Sequence, residues 1–127
     1  MNVLVASAGQ DCQSLISVLT ELCGAAAIYT VGSLGAVLAY CAEAEPDLVL
    51  LDTRLPEMEH FTRVGRLLEQ RPHLRVAVVA PTVDRANVLA AIRRGARGLI
   101  PLSATPEMLR HALTEIRAGE LFIPATV

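Results

Sequence analysis

The chain has 127 residues, 53% of them hydrophobic and 19% charged, with a formal net charge of −2. That length suits one domain with its own core, and that composition excludes a disordered chain. Acids and bases are interspersed, no basic tract occurs, Trp is absent and aromatics make up 3%, so a nucleic-acid-binding face and an aromatic cage are not expected in this piece.

Apolar runs of strand length alternate with segments of helical period. Residues 2–6 (Asn-Val-Leu-Val-Ala) read as a first strand with no basic leader before it. No apolar run approaches the ~20 residues a membrane span needs, so a cytoplasmic location without membrane contact is expected. Cys12, Leu15, Ile16, Leu19 and Leu22 recur at helical spacing, and Gly24 is a stop. Residues 25–31 (Ala-Ala-Ala-Ile-Tyr-Thr-Val) read as a second strand, after which Ser33 can cap a helix with Leu34, Val37, Leu38 and Cys41 on one stripe. Residues 47–51 are a third strand, and Phe61, Val64, Leu67 and Leu68 mark the next helix. Residues 75–80 are a fourth strand; Asp84 can cap a helix carrying Val88, Leu89 and Ile92, which Gly95 ends. Residues 97–100 form a short fifth strand. Thr105-Pro106-Glu107 then combines a cap, a proline at the first helical position and an early acid, and Leu109, Ala112, Leu113 and Ile116 carry the last helix to Gly119.

Five strand–helix units in a row, with strands apolar on both faces, predict an α/β fold with a parallel sheet covered on both sides. The expected architecture is a flavodoxin-like, doubly wound (βα)5 sheet in the order 2-1-3-4-5, with its site beyond the carboxyl ends of the strands near the switch point between strands 1 and 3. Topology alone therefore points to Ser7, Ala8, Asp52, Ala80 and Leu102. Asp52 closes the third strand and precedes Thr-Arg-Leu-Pro. A carboxylate there can act as a nucleophile toward phosphorus, or it can be a solvated or Arg54-paired aspartate at a strand end; both readings stay open.

Pro46-Asp-Leu-Val-Leu-Leu-Asp52-Thr-Arg-Leu-Pro56 resembles the phosphoacceptor strand and loop of response-regulator receiver domains. Arg94-Gly-Ala-Arg-Gly-Leu-Ile, Thr105-Pro-Glu-Met-Leu and Ile116-Arg-Ala-Gly-Glu resemble the end of receivers of the LuxR-type (NarL/FixJ) subfamily. The resemblance covers nearly the whole chain. It implies a receiver over residues 1–119, the start of a linker at 120–127, and a DNA-binding output domain outside this chain, through which alone nucleic acid would be bound.

The departures from the family bear on function. The acids that the family uses to hold Mg²⁺ after the first strand are replaced by Ser7 and Ala8, and a hard divalent cation needs several oxygens. The phosphoryl-binding hydroxyl at the end of strand four is Ala80, the phosphoryl-pairing lysine is Leu102, and the aromatic switch residue is Leu99. Of the reactive set, Asp52 remains. Each lost electrostatic partner commonly costs about 10²–10³ in rate, so phosphorylation at Asp52 is expected to be very slow or absent, and no resident Mg²⁺ is expected. Asp11, Glu57, Glu59 and Thr82 are the substitutes that lie near enough in sequence to consider.

Other signals are weaker. His60, His73 and His111 lack metal spacing, and Cys12, Cys23 and Cys41 lack disulfide or zinc spacing and read as small apolar residues in a reducing compartment. No phosphate-binding glycine loop and no catalytic triad can be argued, so the chain is not expected to be an enzyme. Arg93, Arg94 and Arg97, with Arg110 and Arg117, are either helix-end charges or a candidate homodimer face. The favoured reading is an atypical receiver that controls an output, expected to be transcription, through dimerisation or partner binding. A phosphoacceptor fed by a histidine kinase is the first rival, and a flavodoxin-like small-molecule binder the second.

Overall fold

The computed structural model describes residues 2–7, 13–55, 62–81 and 83–124. Five strands, β1 (Val3–Ala6), β2 (Ile28–Val31), β3 (Leu48–Asp52), β4 (Val76–Ala80) and β5 (Leu99–Pro101), form one sheet in the order β2-β1-β3-β4-β5. Every pairing is parallel. The connecting helices are α1 (Gln13–Cys23), α2 (Leu34–Glu43), α3 (Thr62–Gln70), α4 (Arg85–Arg93) and α5 (Pro106–Arg117). The expected fold class is the observed one.

The sheet forms because its strands can be buried on both sides. Val3, Val5, Leu48, Leu50, Ala77, Val79 and Ile100 pack against Leu15 and Leu19 of α1 and Leu109, Ala112, Leu113 and Ile116 of α5. The alternate residues, Leu4, Ala6, Val49, Leu51, Val76, Val78 and Leu99, pack against α2, α3 and α4 through Val37, Cys41, Val64, Leu67, Val88 and Ala91. Alternation along each strand thus feeds two cores, which leaves the strand ends as the place where polar groups can gather.

Local signals place the helix starts. The side chains of Ser33, Asp84 and Thr105 accept hydrogen bonds from the N–H groups of Ala36 (3.1 Å), Asn87 (2.8 Å) and Met108 (3.1 Å). Gly24, Gly95 and Gly119 have positive φ at the helix ends; at Gly95 a Cβ would also stand 2.7 Å from Leu68 Cδ1, so only glycine fits.

Several expectations change. Ala25–Ala27 form a short 3-10 turn, and β2 starts at Ile28; an alanine run has no strand preference and follows the turn at Gly24. Leu38 and Leu89, assigned to apolar stripes, are 37% and 40% exposed, because each lies one position past the buried Val37 and Val88 at the flank of its helix. The fifth strand runs Leu99–Pro101 rather than 97–100. Past Gly119 the chain still packs: Phe122 is buried, its N–H donates to the Arg97 carbonyl at 2.8 Å, and it bridges Gly98 in parallel register. A Cβ at Gly98 would lie 2.7 Å from the Phe122 carbonyl oxygen, which explains glycine there. The packed unit therefore includes part of the segment read as a linker.

Candidate functional site at the carboxyl ends of β1 and β3

The parallel register sets Ala6 against Leu51, so the next residues, Ser7 and Asp52, meet across the top of the sheet. Ser7 continues β1, its N–H donating to the Val31 carbonyl at 2.9 Å. Asp52 is 2% exposed, and it is the one buried polar or charged residue among the described ones. The turn after it is fixed by Thr53 N–H donating to the Val79 carbonyl at 2.9 Å and Leu55 N–H donating to the Asp52 carbonyl at 3.1 Å. Leu55 itself is buried in the core with Ala80 and Leu99.

Among the described residues, four hydrogen bonds converge on the carboxylate. Its Oδ1 accepts from the Arg54 backbone N–H at 2.9 Å and from Arg54 Nε at 3.0 Å. Its Oδ2 accepts from Arg54 Nη2 at 2.7 Å and from Ser7 Oγ at 3.0 Å. The guanidinium thus grips both oxygens as a fork, the strong form of an arginine–carboxylate pair. Burial alone would push the Asp52 carboxyl up, but the hydrogen bonds from the Arg54 side chain, the Arg54 backbone and Ser7, with the charge of Arg54, outweigh it and hold it below the ordinary carboxylate value. The pairing with Arg54 that the sequence offered is present, and Asp52 is buried rather than solvated.

The other end of the crevice is apolar. Ala80 is 3% exposed and Leu99 is fully buried, both packed in the core on the α2–α4 side. Leu102 donates its N–H to the Ala80 carbonyl at 2.9 Å, and its half-buried side chain leans on the opposite core, under α1 and α5. Ala8, Asp11, Glu57, Glu59, His60 and Thr82 lie outside the described residues. Among the described ones no three His, Cys, Asp or Glu side chains gather to hold a metal. His73 and His111 sit at the surface beside Glu45 (2.8 Å) and Glu115 (3.5 Å).

The candidate arginine face divides. Arg110 and Arg117 line a groove of about 370 Å³ with Leu22, Cys23, Leu113 and Thr114, between α1 and α5. Arg94 instead lies across α3, where a Cβ at Gly65 would meet its Cδ at 3.7 Å. Arg97 reaches the Gly119 carbonyl with Nη1 at 3.4 Å. Arg93 is exposed at the end of α4.

The chain matches the response regulator receiver domain over residues 3–114. It belongs to that family. Nitrate/nitrite response regulator protein NarL of Escherichia coli (strain K12) is 33% identical over 79 residues, which cover 62% of this chain and 37% of NarL. The receiver thus spans little more than a third of that relative. A LuxR family DNA-binding response regulator from Silicibacter pomeroyi superposes over 100% of both chains with a TM-score of 0.80 at 26% identity. The isolated receiver of RcsB from Salmonella enterica serovar Typhimurium shares the fold, with a TM-score of 0.80 over 100% of this chain and 95% of that one, at 19% identity. The chain is a NarL/LuxR-like receiver of two-component signalling. No helix among its described residues is long and apolar enough to cross a membrane.

Proposed function

We propose that this receiver controls its output, which we take to be transcription, through protein contacts and without an aspartyl phosphate. One observation carries the reading: among the described residues, each oxygen of Asp52 already accepts two hydrogen bonds, three of the four coming from Arg54. An attacking carboxylate needs a lone pair aimed at phosphorus, and phosphoryl transfer depends on positioning and on charges that neutralise the moving group. Here the lone pairs are engaged, and Ala80 and Leu102 offer no donor or charge beyond β4 and β5. Leu99, fully buried, keeps its side chain in the core where the family has an aromatic switch. The domain acts as a signalling module rather than an enzyme. Its partners are a second copy or another regulator, with nucleic acid reached only through an output domain. Dimerisation through the α5 side is compatible with Arg110 and Arg117 rimming the groove against α1.

The test is intact mass after incubation with acetyl phosphate and Mg²⁺, beside Asp52→Asn. Unchanged mass in folded wild type is expected. A one-phosphoryl gain that the variant lacks would establish the rival reading, an Asp52 phosphoacceptor served by a histidine kinase.

A further inference from the structure

Asp52 keeps its negative charge in a nearly closed site, and a buried carboxylate must be balanced by a cation or by a dense set of donors. Among the described residues, the set around Asp52 does not fit the divalent cation that the family implies. Position 8 is alanine and has no oxygen on its side chain. Ser7 turns its hydroxyl hydrogen toward Asp52 Oδ2. Both carboxylate oxygens are already held by a guanidinium, whose charge repels a second cation at the same oxygens, and Mg²⁺ demands near-octahedral oxygen coordination.

We infer that Arg54 is the resident cation of this crevice: its guanidinium neutralises Asp52 in place of a metal ion and keeps the carboxylate sequestered. The inference rests on the phosphorylation-independent reading above and deepens it. Three features support it. The fork is two-point, Nε to Oδ1 at 3.0 Å and Nη2 to Oδ2 at 2.7 Å, so no carboxylate edge is left open on that side. Arg54 follows Asp52 by two residues, and its backbone N–H is bound to the same carboxylate, so the cation is delivered by the turn itself. That turn is anchored by Thr53 to β4 and by buried Leu55 to the core. A guanidinium also stays charged at every accessible pH, so it serves as a permanent counter-ion where a metal would be exchangeable. Its side chain is 34% exposed, so it reaches the surface while gripping Asp52.

The experiment is a Mn²⁺ titration of the full chain, read by selective line broadening of the Ser7, Asp52 and Thr53 amide signals in NMR. It compares wild type with Arg54→Ala, and with Arg54→Gln should the alanine variant fail to fold. Melting temperatures with and without Mg²⁺ accompany it. Wild type is expected to show no selective broadening at millimolar Mn²⁺ and no Mg²⁺-dependent melting shift. Removal of the guanidinium is expected to raise Mn²⁺ affinity at these residues by about tenfold or more, the size of an ordinary coupling between two sites, and to make melting rise with Mg²⁺. Equal broadening in wild type and variant would overturn the inference, and so would a folded variant that attracts no Mn²⁺. The two proposals fail separately: wild type that binds Mn²⁺ at Asp52 yet gains no phosphoryl group sinks the resident-cation inference alone.

Discussion

The two ends of the crevice are built by opposite means. Beyond β1 and β3, Ser7, Asp52 and Arg54 form a polar knot with both carboxylate oxygens engaged. Beyond β4 and β5, Ala80 and Leu99 sit in the core and Leu102 leans away onto the α1–α5 side. The polar end is held by neighbours in sequence and by one strand register, so the anchor survives on local information. The groups that would make Asp52 reactive come from other strands, and there apolar side chains stand in their place. Burial and the Arg54 fork thus hold the Asp52 carboxylate whether or not it reacts.

The sharpest way to break this contrast is to rebuild the replaced positions at both ends. Ala8→Asp, Ala80→Ser and Leu102→Lys together, with Arg54→Ala to release the carboxylate, are expected to raise the rate of Asp52 phosphorylation by acetyl phosphate by about 10² or more, the usual worth of a single preorganised electrostatic partner. Intact-mass time courses read it. A rebuilt variant no faster than wild type would show that the replaced residues do not set the reactivity of Asp52.

Next come the stabilities of the two ends, measured by urea denaturation. Leu99→Ala removes a fully buried side chain and should cost about 2–5 kcal/mol. Arg54→Ala leaves Asp52 buried without its fork. Stranding a fully buried charge costs about 3–5 kcal/mol, but Arg54 is 34% exposed, so water reaches the gap and roughly 1–3 kcal/mol is expected. Arg54→Lys, a point charge without the fork, should fall between wild type and alanine. An Arg54→Ala cost as large as that of Leu99→Ala would mean that the polar end carries as much of the fold as the core.

Most of the fold was legible because its signals are local. Ser33, Asp84 and Thr105 cap the helices they were expected to cap, since a cap needs only the next few N–H groups. The stripe residues Leu109, Ala112, Leu113 and Ile116 are all buried, because α5 lies flat on the sheet. Leu38 and Leu89 misled because the apolar period does not say how wide a helix face its neighbours cover. Phe122 went unread for the same kind of reason: its burial depends on a bridge to Gly98, 24 residues earlier, which no local pattern encodes. At the site, sequence supplied Asp52 and the losses around it and offered Arg54 as a partner. What it could not supply was the fork, since whether an arginine two residues on turns inward is decided by how Leu55 and Thr53 anchor the turn.

The smallest effect is the one that tests the sign of the balance at the polar end. Burial and hydrogen bonding pull the Asp52 carboxyl in opposite directions, and the net shift is downward. A carboxyl whose folded pKa lies below its unfolded value stabilises the fold fully above the unfolded value, about 3.9, and loses that contribution as pH falls through the folded value. Wild type should therefore be more stable than Asp52→Asn at neutral pH. The gap should begin to close as the pH drops toward about 4 and shrink further below it, while the other acids titrate equally in both proteins and cancel in the difference. Urea midpoints of the pair across that range measure it. Had desolvation won, the folded pKa would lie above the unfolded one and the gap would grow in favour of wild type on acidification. The slope alone thus decides whether Arg54 and Ser7 outweigh the burial of the charge they hold.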